Sequence, residues 1–274
     1  MITALIGPSG VGKSSMAALT SVNTPVHIVD IDRKVKAMSM FQNALRAGSL
    51  TYKEIGDTIS EDGLSKRLDA LINDAKPARA PRGWSNFANY CGSLESDPAA
   101  KAAGTICIDS YTQLALHARA HIQFLKGKSK FVWDDWSTWK AIWTETTTIL
   151  IDYCLDQKKD LVVILHERVS EKPGNQTGRV IVQQKPSEKG GVVTTREYQG
   201  TMDVRIAGSI EGAFGLEFGS YFTDVYALHV DIVSGKPVWK CRVLPDGQRD
   251  LRCSFDVKGV ADWDPDFRKI QKGA

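Results

Sequence analysis

Apolar residues in this chain concentrate in short runs, each stopped by a glycine, an acid or a histidine, with helix-like spacing between them. Residues 2–6 stop at Gly7, and 14–19 then read as a helix start; 26–31 form a second run and 105–108 a third, each meeting an aspartate; 161–165 form a fourth, ending at His166. Runs of this length separated by helical segments are what a parallel sheet buried on both faces requires. The pattern predicts an α/β fold: a mostly parallel central sheet flanked by helices. Residues 221–233 and 236–244 read as two strands joined by a turn at Ser234 and Gly235, an antiparallel hairpin at the C-terminal edge of the sheet.

Between the runs the pattern weakens. The segment 76–97 is rich in Pro, Arg, Gly, Ser and Asn and reads as part of a surface insertion over about 76–101. Residues 170–200 show little apolar periodicity and many Lys, Arg, Gln and Gly, which predicts a mobile loop over about 168–205. Trp136, Trp139, Trp143, Ile149, Leu150 and Tyr153 fall roughly on one helical face behind a cap at Asp134 or Asp135, so they read as core, while Trp133 ahead of the cap is left open for stacking. The domain is expected to span 1–258, with 259–274 as a tail.

Composition removes several classes. With 35 Lys+Arg against 32 Asp+Glu, the net charge of +3 over 274 residues is no polybasic field, so any nucleic-acid contact must come from a local patch. The five cysteines are widely spaced with no CxxC pair, which argues against a disulfide framework or structural zinc. No apolar stretch reaches about 18 residues. A cytoplasmic protein without a membrane partner is expected.

Gly7-Pro8-Ser9-Gly10-Val11-Gly12-Lys13-Ser14 fits the pattern G-x-x-x-x-G-K-[ST]. A strand feeds the loop and a helix leaves it, so backbone N–H groups and the positive helix end can wrap phosphate oxygens. Residues 7–15, Ser15 included, are the expected nucleotide cradle, with Lys13 on the β and γ phosphates and the Ser14 hydroxyl on Mg²⁺. The run ending in Asp109 delivers that carboxylate to the carboxyl end of the sheet, as a second metal ligand. Ser110 follows it and cannot activate water.

The base must come from elsewhere. Asp32, beyond the second strand, is the expected carboxylate, with Asp30 and Glu167 as alternatives; Arg33 and Lys34 read as solvated charges. His166, at the same sheet end as Lys13 and Asp109, is expected to sense the terminal phosphate.

Taken together, the P-loop, the Asp-x-acid after the second strand, the strand ending Asp109-Ser110, the Trp136 helix and the strand ending in His166 resemble the RecA-like ATPases, and most of all the compact phage-encoded members associated with single-strand annealing and recombination. The resemblance spans roughly 1–256. It implies ATP and Mg²⁺ as cofactors, slow hydrolysis, single-stranded DNA as partner, a homo-oligomer (ring or filament) and a single-stranded-DNA-binding protein as a further partner, in the cytoplasm of a bacterial host if phage-encoded. It places DNA contacts on the loop after the sensor strand, here Arg168, Lys172, Arg179, Lys185, Lys189, Arg196, Tyr198 and Arg205. It places basic residues on the late strands, here Lys240 and Arg242, beside the phosphate held by a neighbouring subunit. The family's usual acid after the second strand is glutamate; Asp32 is one methylene shorter. Two other readings share the P-loop: a small-molecule kinase, whose lid the basic 168–205 segment would be, and a nucleotide-dependent switch serving a replication or packaging partner.

Overall fold

The structure is a computed structural model and describes residues 1–56, 81–127, 131–173, 180–186, 192–198, 202–208, 218–246 and 249–272. The four apolar runs are strands: β1 (Ile2–Ile6), β2 (Val26–Asp30), β4 (Thr105–Asp109) and β5 (Asp160–Ile164), each buried at every position. A strand absent from the sequence reading, β3 (Leu50–Glu54), pairs parallel to β2, and its polar outer end explains why no apolar run marked it. Together with β10 (Asp224–Val233), β11 (Lys236–Arg242) and β12 (Asp262–Trp263), they form an eight-stranded sheet of order β12-β11-β10-β1-β5-β4-β2-β3. All pairings from β10 to β3 are parallel, and the β10–β11–β12 end is antiparallel. β1 therefore lies in the middle of the sheet, and the loop after it emerges at the carboxyl ends of its neighbours.

Alternation sends Ile106, Ile108, Leu161 and Val163 to one face. They pack there on α3 (Gly83–Cys91), α5 (Tyr111–Leu125) and α6 (Trp133–Asp156). Leu5, Ile28, Cys107 and Ile164 face the other way, onto α1 (Lys13–Thr20) and α7 (Phe267–Lys272). The remaining helices, α2 (Gln42–Arg46) and α4 (Pro98–Ala102), are one turn each.

Three expectations change here. The described part of the expected insertion is core: Phe87 and Ala100 are fully buried, with Trp84, Tyr90 and Leu94 close to it. A buried polar chain ties the segment down, with His27 bonded to Thr51 (2.8 Å) and to the Tyr90 hydroxyl (2.7 Å), and Tyr90 donating to Asp97 (3.2 Å), which caps α4. Polar composition hid the helical spacing of Trp84, Phe87 and Tyr90. The boundary expected at 258 does not exist either: β12 completes the sheet edge, and Phe267 and Ile270 are fully buried against the α1 face.

The described parts of 168–205 are strands, not irregular chain. β6 (Glu167–Pro173) pairs with β9 (Met202–Gly208), and β7 (Val180–Pro186) with β8 (Val192–Tyr198), both antiparallel. Long polar ribbons lack the apolar alternation that marks a half-buried strand. In the Trp-rich helix, Trp139, Trp143 and Leu150 are buried as expected, whereas Ile149 is exposed. The helix starts at Trp133, and Asp135 accepts the Val132 N–H (2.9 Å); the side chain of Trp133 lies outside the described residues. Among the described residues no helix is long and apolar enough to cross a membrane.

Candidate active site

The loop between β1 and α1 needs glycine for reasons visible in the fold. A Cβ on Gly7, at φ +150°, would lie 2.4 Å from the Leu228 carbonyl oxygen of β10. Gly10 and Gly12 also have positive φ, and beside Gly10 a Cβ would meet nothing within 4 Å, so the loop has open space at its turn. Pro8, Ser9 and Gly10 are exposed, while Val11 anchors the loop in the core.

Lys13 opens α1 and turns back into the loop, donating to the carbonyls of Gly7 (2.8 Å) and Pro8 (2.6 Å). Burial, and after it the neighbouring ammonium of Lys34, push Lys13 down to about 8. The next residue, Ser14, donates its hydroxyl to Asp109 Oδ2 at 2.5 Å. This brings together the two side chains expected to hold a metal, from positions 95 residues apart. One hydroxyl and one carboxylate form a hard oxygen donor set, which suits Mg²⁺ together with phosphate oxygens. Ser15, also expected in the cradle, points its hydroxyl at Met40 Sδ (2.8 Å).

The three candidate bases separate cleanly. Asp30 is fully buried and accepts the backbone N–H groups of Lys34 (3.2 Å) and Val35 (2.8 Å), so both its oxygens hold the chain after β2. Burial raises its pKa, and those two hydrogen bonds only partly offset the rise. Glu167 is ion-paired with Arg249 at 3.0 Å. Asp32 remains open to solvent at 20% and accepts from Ser110 Oγ (2.9 Å) and Lys34 Nζ (2.9 Å). Ser110 thus serves twice, since its hydroxyl also accepts the Gln113 N–H as the cap of α5.

Lys34 is the site residue that sequence reasoning missed. Its Nζ lies 2.9 Å from Asp32 Oδ2 and 3.0 Å from Asp109 Oδ1, the latter an ion pair without an aligned hydrogen bond. Burial alone would lower its pKa, but the carboxylates of Asp109 and Asp32 outweigh that and raise it. The turn that swings it inward passes through Arg33 at φ +57°, a conformation an arginine gives no hint of.

His166 is half-buried, its N–H bonded to Thr112 Oγ1 (3.0 Å). Burial, then the charge of Lys13, lower its pKa, which places the ring within electrostatic reach of the loop. The Glu167 N–H donates to the Gly7 carbonyl (3.1 Å), stitching the start of β6 to the P-loop.

Arg242 and Lys240 sit on β11, on the opposite strand face from Trp239. Arg242 is held by its own chain: two 2.7 Å bonds to Asp262 and a 3.3 Å contact with Asp246. Those hydrogen bonds raise its pKa further above the arginine norm. Asp246 also takes Arg249 (2.6 Å), so ion pairs run from Glu167 through Arg249, Asp246 and Arg242 to Asp262. Lys240, opposite His229, is half-buried on the same face.

Of the expected DNA-contact residues, Arg179 and Lys189 lie outside the described residues. Arg168 and Lys172 are on β6, Arg205 on β9, Lys185 on β7, and Arg196 and Tyr198 on β8. Arg205 pairs with Ser170, so the positions of Arg168, Lys172 and Arg205 fall on one face of the β6–β9 ribbon. The positions of Arg196 and Tyr198 likewise share a face of β7–β8.

No family model matches the chain, and no curated protein does. Among solved structures, a KaiC-like protein from the hyperthermophilic archaeon Pyrococcus horikoshii is similar over 92% of this chain and 81% of its own, at 13% identity and a TM-score of 0.42. The flagellar accessory protein FlaH from Methanocaldococcus jannaschii is similar over the same shares, at 12% identity and a TM-score of 0.35.

Proposed function

We propose that this protein binds ATP with Mg²⁺ and hydrolyses it slowly, in an oligomer that acts on single-stranded DNA. The observation that carries the nucleotide reading is the convergence of Lys13, Ser14 and Asp109 at one loop, with Lys13 bonded to loop carbonyls that phosphate oxygens would replace as partners. Ser14 and Asp109 would hold Mg²⁺, which when bound neutralises charge on the β and γ phosphates. Lys13 and the N–H groups of the loop bind and orient the triphosphate. Asp32, the partly exposed carboxylate, takes the proton of the attacking water, and Ser110 fixes its rotamer through Oδ1. His166, immediately before β6, reports the terminal phosphate to the ribbons that follow.

The DNA part rests on the positions of Arg168, Lys172 and Arg205 sharing one ribbon face, where Asp203 stands opposite Lys172, and on the aromatic position of Tyr198 two residues from Arg196 on β8. For the oligomer, Lys240 is the better candidate for a neighbour's phosphate, because Arg242 is engaged within its own chain. The test is steady-state ATP hydrolysis with and without single-stranded DNA, with Lys13→Ala as the control for contaminating activity. A several-fold rise that high salt removes supports the full reading. Turnover that DNA leaves flat overturns the DNA part, and γ-phosphate appearing on a metabolite instead of in solution overturns hydrolysis.

A further inference from the structure

A single lysine is ion-paired with both carboxylates that the reaction needs. Asp109 gives Oδ2 to Ser14 and has Lys34 at Oδ1; Asp32 gives Oδ1 to Ser110 and Oδ2 to Lys34. The backbone of Lys34 is fixed by Asp30, but its side chain is 34% exposed, so the ammonium can leave without disturbing the turn. A second cation, Lys13, is close enough for the two ammoniums to repel, and it is held on the loop carbonyls of Gly7 and Pro8. A polyanion offers both ammoniums a common partner in place of loop carbonyls and carboxylates. The same arrangement opposes a divalent cation arriving alone, because Asp109 cannot serve a metal fully while Lys34 is seated on it.

We propose that Lys34 is a resident counter-ion that keeps Asp109 closed to divalent metal and Asp32 engaged until a nucleoside triphosphate arrives, and that it then follows the terminal phosphate. This rests on the nucleotide reading above and adds an order of events. Metal entry is coupled to nucleotide entry through one side chain, and by linkage each ligand strengthens the other. Lys34 acts here as a positioning residue that releases Asp32 for water at the moment phosphate is present.

The experiment measures Mn²⁺ binding to nucleotide-free protein by the electron paramagnetic resonance of free Mn²⁺, for wild type, Lys34→Gln, Lys34→Ala and Lys34→Arg. Removing a unit charge at ion-pair distance should tighten Mn²⁺ in the Gln and Ala variants by about tenfold or more, while Lys34→Arg stays near wild type. A structural role alone would loosen metal binding or leave it unchanged. Affinities for fluorescent ATP and ADP analogues in EDTA form the second readout, and the preference of the wild type for the triphosphate should shrink several-fold in Lys34→Gln. The proposal is overturned if Mn²⁺ affinity in Lys34→Gln and Lys34→Ala stays within about twofold of wild type, or if the triphosphate preference persists. If wild type binds neither analogue, the nucleotide reading fails, and the Mn²⁺ comparison still judges the counter-ion role.

Discussion

Replacing Gly7 by alanine puts a methyl carbon 2.4 Å from the Leu228 carbonyl oxygen and 3.2 Å from Val11 Cγ2. Ordinary C···O contacts begin near about 3.3 Å, so the loop or β10 must move by about 0.9 Å. The obstacle is backbone, not a side chain that can rotate: β10 is paired with β1 through Ile6 and Ala227 and with β11 through Leu228 and Cys241. Overpacking of this kind costs about 1–3 kcal/mol. The unfavourable φ adds about 1–3 kcal/mol. Gly10→Ala is the internal control, because it has positive φ and no neighbour within 4 Å, and should cost only about 1–2 kcal/mol. At roughly 2–4 °C per kcal/mol for a domain of this size class, Gly7→Ala should melt roughly 4–24 °C below wild type and below Gly10→Ala. Thermal unfolding followed by far-UV circular dichroism, without nucleotide, reads this directly. Equal melting temperatures for the two variants would refute the close approach of β10 to the loop.

Phe87→Ala should destabilise the protein by about 3–5 kcal/mol in urea unfolding, because the ring is fully buried on the sheet; a loss under about 1 kcal/mol would return 83–91 to the surface. Lys13, at about 8 in the fold against an ordinary 10.5, binds fewer protons folded than unfolded between those values. Nucleotide-free stability should therefore rise with pH across that window relative to Lys13→Met, and a pH-independent difference between the two would contradict the burial of its ammonium. Asp32→Ala should abolish turnover while leaving binding of a fluorescent ATP analogue nearly intact, and normal turnover would remove Asp32 from the chemistry. Arg249→Ala strands Glu167, whose side chain is 9% exposed, and leaves Asp246 only its contact with Arg242, and should lower stability by about 2–4 kcal/mol, with Arg249→Lys recovering only part.

The sequence by itself determined the local rules. Runs made mostly of apolar residues made β1, β2, β4 and β5 legible, because a strand buried on both faces takes apolar residues on both. The spacing Gly-x4-Gly-Lys-Ser was legible because its chemistry is carried by backbone and by neighbouring residues, and Asp109 because it ends such a run. Tertiary structure decided what depends on contacts across the chain. Helix α3 was hidden by polar composition and exists because the sheet face beside it must be covered. Residues 259–272 join the fold because Phe267 and Ile270 find a pocket against α1. Asp30, Asp32 and Glu167 are alike as acids and differ in surroundings: backbone N–H groups fill the first, Arg249 holds the third, and the second keeps the most solvent. Lys34 reads as one more surface charge until a left-handed Arg33 turns it onto two carboxylates, one of them 75 residues away in the chain. Charge and burial are properties of the neighbourhood, and a neighbourhood assembled from distant segments exists only once the sheet has formed.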